Sequence, residues 1–591
     1  MLTQPRFLWL TALLLAVVSN THPQSGAGQA APGPQRQTSQ TAAPQPQQGE
    51  PPAEVKPEDR CTIEGLVVNA ATGEPLKKAR LVLRSVGAPQ ANPPREAYAA
   101  LSDASGRFAI REIAPGRYYL RARRNGFAQQ DYGQKGPDSR GTVLALERGQ
   151  VLRDLTIRLQ PGGVITGRVV DEDGEPLSDV GVMAMRYAYL QGKKELVPFS
   201  GGNETNDLGE YRLFGLLPGR YYVVARDTSG RFMNWEGPVR PSRDPSQQEQ
   251  GYARTYYPGV SDIGQAEAIL LRPGEERRGI DFRLTPVRLV TVRGKVVDEV
   301  TGNPVRNVSL MLMLRGGMGF EPQASGRVSA ADGSFELRGV APGSYVIIGG
   351  FSDDGRRLRV HQPVEVGTSD LENVLVTLGP GVELKGAIKF DEQPAQPVEM
   401  KQIRVYLQPA EGAFPGGGRS TTKEDGTFTV EGLSPGPHHV RLWGLPEGVY
   451  LKRAQFGDDD ALEKGVTIQP GAPPAALELT LSADAGVVEG IILDEDKNPV
   501  TGAQALLVPD PKFRHNPEMF VQATADQNGR FVAPAVRPGE YRAFAFEELQ
   551  PGAFVDPDFL RPFEDSGKTV RVEPRQRQSL ELELTPLAGS E

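Results

Sequence analysis

The 591-residue chain carries a single cysteine, Cys61. It therefore has no internal disulfide, and its stability must come from packing alone. Histidine is almost as scarce, with 5 in all. Those beyond the N-terminal region are His361, His438, His439 and His515, scattered along the sequence. A zinc hydrolase needs His and Glu ligands converging on one ion, and His361 followed by Glu365 has the wrong offset for an H-x-x-E pair. No metal or cofactor is expected. A basic excess is missing too: 66 Lys and Arg stand against 74 Asp and Glu, a formal charge of −8. Without cations to neutralise phosphates, a nucleic-acid partner is not expected.

Long apolar runs are confined to one place, FLWLTALLLAVV at residues 7–18, behind the lone early charge of Arg6. As a helix it would span roughly 18 Å, short of a bilayer core of about 30 Å. The stretch reads as a secretion signal over residues 1–24, with cleavage somewhere between 19 and 30. Cys61 lies far beyond it, so a lipid anchor is not expected, nor is a transmembrane segment in the mature chain. The expected location is outside the cytoplasm of a bacterium: periplasm, cell envelope or exterior. Residues 25–60, rich in Gln, Pro, Ala, Ser and Thr, bury too little apolar surface to offset ordering entropy and read as a disordered tether.

Glycine and proline, in contrast, are plentiful: 68 and 51 residues, about a fifth of the chain. Short strands joined by many tight turns give such numbers. The stretch GRFAIREIAPGRYYLRA from Gly106 returns as GEYRLFGLLPGRYYVVA from Gly209, GSFELRGVAPGSYVIIG from Gly333, GTFTVEGLSPGPHHVRL from Gly426 and GRFVAPAVRPGEYRAFA from Gly529. Asp or Asn before the first Gly is turn chemistry, because the side chain bonds its own backbone and Gly accepts positive φ. Alternation then puts Phe108 and Ile110, Tyr211 and Leu213, or Phe335 and Leu337 on one face. Pro115-Gly116 fits the centre of a type II hairpin turn. Tyr118, Tyr221, Tyr345 and Tyr541 are expected to be buried with their hydroxyls bonded near the corner, as tyrosine corners are; His438 stands there in the fourth copy.

Before each of these stretches comes an opening strand with a Gly: IEGLVVN from Ile63, ITGRVVD from Ile165, VRGKVVD from Val292, LKGAIKF from Leu384 and VEGIILD from Val488. After each comes another alternating strand, such as DLTIRLQ from Asp154. The period is about a hundred residues, right for a small sandwich and too long for a solenoid repeat. No helix is predicted outside the signal.

The opening G-x-V-x-D with its G-x-P turn, and D-x-x-G-x-F followed by P-G-x-Y, resemble the carboxypeptidase regulatory-like family. That resemblance implies a transthyretin-like sandwich, close to the carbohydrate-binding-like fold and the B-type repeats of collagen adhesins. It implies no peptidase activity. The expected fold is all-β: a tandem array of five Greek-key-type sandwiches at 61–161, 162–288, 289–381, 382–486 and 487–587. Short Pro/Gly linkers suggest an end-to-end rod on the order of 150 Å long.

Chemistry-bearing candidates are few. Gly432-Leu433-Ser434-Pro435-Gly436 matches the G-x-S-x-G nucleophile elbow, but that elbow needs a helix after it, and here a strand is expected. Asp171-Glu172-Asp173, Asp458-Asp459-Asp460 and Asp494-Glu495-Asp496 lack the spacing of an EF-hand loop and read as turn acids. Lys295 could form an isopeptide bond of the adhesin type, yet Leu66, Arg168, Ala387 and Ile491 replace it in the other copies. Aromatics remain. Trp235, Tyr252 and Tyr256 lie in an insertion of the second unit, residues 231–262, and Trp443 follows the fourth Pro-Gly corner. Exposed rings could stack on the apolar C–H face of a pyranose. Tyr257 aligns with Tyr132 and Phe456, which marks it as a repeated core residue. The expected function is non-catalytic, structural or protein-binding, with an unknown protein or polysaccharide as partner. The alternative is a carbohydrate-binding module array.

Overall fold

The computed structural model describes residues 56–586, apart from short stretches at 87–97, 137–138, 191, 200–202, 228–249, 316–321, 354–355, 393, 395–396, 411–417, 447 and 470–472. The expected signal and all but the end of the expected tether lie outside the described residues. That end forms a short turn, Pro57–Asp59, leading into the first strand. Among the described residues the α-helices are two four-residue turns, Ala461–Lys464 and Pro557–Leu560.

The chain is an all-β array of five sandwiches. In the first, the opening strand Cys61–Asn69 lies between Arg107–Ile113, antiparallel to it, and Val151–Leu159, parallel to it. The facing sheet orders Tyr98–Leu101, Arg80–Ser85 and Gly116–Arg123, with short edge strands beyond. The same arrangement recurs around Gly163–Val170, Val290–Asp298, Val382–Phe390 and Gly486–Leu493.

The glycine of each opening strand has a steric cause. A Cβ on Gly65, Gly167, Gly294, Gly386 or Gly490 would come within 1.8–2.3 Å of a carbonyl oxygen in or beside the parallel closing strand. It would also meet the ring of Phe108, Tyr211, Phe335, Phe428 or Phe531. The closing strand approaches tightly, with a register shift beside Gly65 and Gly294 and none at Gly386 or Gly490, and the aromatic ring of the neighbouring strand lies over the gap.

The quoted repeat is a corner between sheets, and the hairpin expected from sequence is corrected. Arg107–Ile113 and Gly116–Arg123 belong to opposite sheets, and the same split holds in all five copies. A left-handed residue stands four positions before the Gly of each Pro-Gly pair: Glu112, Gly215, Gly339, Gly432 and Ala535, with φ between 59° and 72°; Gly116, Gly219, Gly436 and Gly539 of the pair also have positive φ, at 119–159°. At the earlier position the register with the opening strand shifts. This bulge turns the strand, and a proline that cannot donate to a ladder ends it. Alternation looks the same for two strands that pair and two that face each other, so the pattern could not separate hairpin from arch. The tyrosines behave as expected. Their hydroxyls donate to the carbonyls of Ala114 (2.9 Å), Leu217 (2.7 Å), Ala341 (2.8 Å) and Arg537 (2.9 Å). In the fourth copy His438 Nδ1 lies 3.0 Å from the Gly436 carbonyl.

Each sandwich has its own core, built from the inward positions of both sheets. Fully burying one Val, Leu or Phe contributes about 1.5–3 kcal/mol, which explains how the chain manages without disulfides. Cys61 is a buried core thiol donating to the Glu147 carbonyl. Two further clusters cover outer sheet faces. In the fifth sandwich Phe520, Phe544, Phe546, Phe554 and Phe563 gather under the segment that follows residue 546. In the second, Met183, Met185, Val224 and Tyr256 do so.

The rod expectation fails. Consecutive sandwiches touch, through Gly162 N–H to the Gly126 carbonyl (3.1 Å) between the first and second or Arg575 N–H to the Asp484 carbonyl (2.8 Å) between the fourth and fifth. But the fifth also docks on the first. Gln527, at a turn tip, accepts from Ala145 N–H and donates to the Ala145 carbonyl, both at 2.9 Å. Val143 bridges Asp526, Arg117 donates to the Val532 carbonyl (3.2 Å), and Lys135 pairs with Glu547. Phe559 of the fifth sandwich packs edge-on against Tyr189 of the second, with centroids 6.5 Å apart. First and last sandwiches therefore meet. Linker composition carries no information about the angle between neighbours, so the closure was not legible.

Candidate ligand-contact face

Of the four aromatics singled out from sequence, Trp235 lies outside the described residues. Tyr256 is buried at 9% exposure, so its assignment as a contact ring is corrected: the Met183 and Met185 side chains of the outer sheet face cover it. Tyr252 packs half-buried against the core of the second sandwich. Tyr257, Tyr132 and Phe456 pack against the cores of their own sandwiches, as the alignment of the repeats predicts.

Trp443 is different. It ends strand Gly436–Trp443 on the outer face of the fourth sandwich and is 47% exposed. Its ring is stacked on Tyr406, with centroids 5.5 Å apart and planes 12° apart. Tyr406 comes from Arg404–Pro409, and sequence reasoning missed it because the pairing partner of Trp443 was not known. Register builds the rest of the face. Arg404 lies opposite both Trp443 and Thr421, and Tyr406 opposite both Arg441 and Arg419. Val405, Leu407 and Val440 point the other way, into the core. The outer face is thus a flat grid with Tyr406 at its centre, one stacked ring diagonal to it and three guanidiniums around it.

The arginines differ in engagement. Arg441 is held: it donates to Gln408 Oε1 (2.9 Å), and its Nε lies 2.9 Å from Glu518 Oε1 of the fifth sandwich. Arg404 and Arg419 are exposed, and neither has a carboxylate partner among the described residues. Beyond Arg441 lies His439, whose ring centroid is 6.1 Å from that of His515. Burial, with the nearby His515 and His438 rings adding to it, pulls the His439 pKa down to about 4, so the ring is neutral at pH 7. The sequence placed these two histidines in separate sandwiches; the fold makes them neighbours. A cavity of about 220 Å³ opens between the fourth and fifth sandwiches, lined by Leu442, Val449, Tyr450, Phe513, Met519 and Arg537 among others.

The remaining candidates are absorbed by the framework. Ser434 sits between Thr427–Leu433 and Gly436–Trp443, so a strand follows where a nucleophile elbow needs a helix. Asp171 accepts from the backbone of Asp173 and Glu175, Asp494 from that of Asn498, and Asp460 caps Leu462. Lys295 stands 3.8 Å from Asp332 as an exposed ion pair. Among the described residues no three His, Cys, Asp or Glu groups gather as metal ligands, and no helix is long and apolar enough to cross a membrane.

Residues 62–160 match the family of the carboxypeptidase regulatory-like domain. A comparison with curated proteins gave no match. Among solved structures the Bacillus anthracis TIE protein is similar at 10% identity, over 90% of this chain and 76% of that one, with a TM-score of 0.15. The streptococcal ancillary pilin aligns at 13% identity over 54% of this chain and 98% of its own, TM-score 0.19. The GBS52 minor pilin of Streptococcus agalactiae aligns at 14% identity over 39% and 96%, TM-score 0.20. The first sandwich is thus the part of the chain that matches the carboxypeptidase regulatory-like domain, and the opening-strand sheet of that sandwich recurs in the four after it.

Proposed function

We propose that the chain is an exported, non-catalytic scaffold that acts through protein contacts at the cell envelope or outside the cell. The observation that carries this reading is where the chain spends its loops. Gln527 of the fifth sandwich grips the first, the segment after residue 546 reaches the second, and Glu518 holds Arg441 of the fourth. In many enzymes such loops carry the reacting groups. Here they join sandwiches. The apolar stretch at residues 7–18 supports export.

Cell fractionation with in-cell cross-linking tests it. The expected result is a protein outside the cytoplasm, cross-linked to a partner of reproducible mass. Cytoplasmic protein with no cross-linked species would refute the scaffold reading. So would hydrolysis of an ester by the purified chain that is lost in Ser434→Ala; as a corner residue Ser434 should tolerate alanine within about 1 kcal/mol.

A second reading, carbohydrate recognition, is favoured at one place among the described residues. The Tyr406–Trp443 stack offers an open ring on a flat sheet face, the kind of platform on which a pyranose can lie.

A further inference from the structure

We propose that the outer face of the fourth sandwich binds a uronate-bearing polysaccharide, with Trp443 as the stacking platform and Arg404 and Arg419 as carboxylate contacts. The inference rests on the carbohydrate reading and adds to it the charge of the ligand.

The argument starts from the neighbours of the ring. Tyr406 stacks nearly parallel on one face of the Trp443 indole and steadies it, while Trp443 remains 47% exposed. Arg404 is the direct cross-strand neighbour of Trp443, and Arg419 that of Tyr406. Directly opposed residues stand about 4.5–5.5 Å apart, so both guanidiniums reach the rim of any ring lying on the stack. An arginine fork accepts a carboxylate in two parallel hydrogen bonds. Arg441, in the same row, shows what an engaged guanidinium looks like here: it holds Glu518 and Gln408. Arg404 and Arg419 hold no carboxylate among the described residues, although the chain as a whole is acidic and pairs many of its other arginines. Two unpaired cations beside an exposed ring in a chain of net charge −8 form a local field of the opposite sign. A neutral glucan would leave those cations unused. A nucleic-acid strand would need a longer basic track than two arginines on one sheet face.

The test uses the full chain in affinity electrophoresis and calorimetry against polygalacturonate, alginate, neutral dextran and poly(U). The expected result is binding to at least one uronate polymer that weakens as salt rises. Trp443→Ala should weaken it at least tenfold. Arg404→Gln with Arg419→Gln should weaken it at least tenfold at low salt and flatten the salt dependence. All three side chains are exposed, so melting should stay close to that of the parent chain. Should Trp443→Ala lower it, the arginine pair alone decides. Dextran bound as tightly as the uronates would overturn the charge assignment and leave the carbohydrate reading standing. Binding to none of the three polysaccharides would overturn both. Poly(U) bound in preference, or uronate binding untouched by either variant, would overturn the site.

Discussion

Replacing Gly490 by alanine tests the packing logic of the repeat at one of its tightest points. A Cβ there would lie 1.9 Å from the Leu580 carbonyl oxygen, 2.8 Å from its carbon and 3.0 Å from a ring carbon of Phe531. Ordinary contact would need about 1.5 Å more room against the oxygen. The obstacle is backbone, so no rotamer change relieves it. Gly490 pairs in register with Leu580, in the parallel ladder that runs from Val487–Arg577 to Leu493–Glu583. Either the closing strand moves away and ladder hydrogen bonds break, or Phe531 leaves the core. Overpacking costs about 1–3 kcal/mol, and a buried backbone group left unpaired adds about 1–3 kcal/mol. The sum, roughly 2–6 kcal/mol, should lower the melting of the fifth sandwich by at least about 8 °C, since 1 kcal/mol shifts a 60–100-residue domain by about 4–8 °C.

Native-state hydrogen exchange on the intact chain reads this locally, on the amides of Gly486–Leu493 and Arg577–Glu583. Gly302→Ala is the comparison. Gly302 sits at φ +69° with nothing within 4 Å of its Cβ position, so only left-handed backbone strain of about 1–2 kcal/mol is expected. If Gly490→Ala opens its strands no more readily than Gly302→Ala opens its turn, close approach is not what holds glycine in the opening strand.

Ala535 occupies the bulge position that Gly215, Gly339 and Gly432 fill elsewhere, at φ 60°. Ala535→Gly should therefore raise the stability of the fifth sandwich by up to about 1 kcal/mol, and a drop in calorimetric stability would count against the strained-bulge account. His439 is held neutral, with a folded pKa of about 4 against an ordinary 6.5. The unfolded chain binds the proton first, so the stability of this region is full above pH 6.5 and declines as pH falls toward about 4. His439→Gln should flatten that decline, and an NMR titration giving His439 a pKa near 6.5 would remove its basis. Fragment 487–587 carries a core of its own and should fold alone, with a strand-type circular dichroism spectrum and one cooperative melt; a purified fragment without a melt would mean that its contacts with the first, second and fourth sandwiches are required.

What the sequence shows and what it hides divide along one physical line. Local chemistry is legible. Asp103 accepts from Ser105 and Arg107 N–H, and Asp425 from Thr427 N–H, because a short carboxylate next to Gly reaches only its own turn. In the second copy Asn206 does this work, one residue before the Asp207 that the pattern suggests. Tyrosine corners span four residues and are legible for the same reason. Relations across sheets are not. Period-two alternation says that Phe108 and Tyr118 face inward, but an arch and a hairpin give it equally. Relations across sandwiches are hidden further still. Gln527 is one polar residue at a turn tip, where polar residues are the rule, and nothing in its neighbours announces Ala145 382 residues away. The same holds for the contact face. Trp443 could be named because tryptophan is rare, whereas Tyr406, Arg404 and Arg419 acquire meaning only through strand register. A binding surface on a sheet is written in pairings, and the sequence lists residues singly. That is why the fold of this chain was easier to read than any site on it, and why the variants that probe the face must be chosen across strands rather than along one.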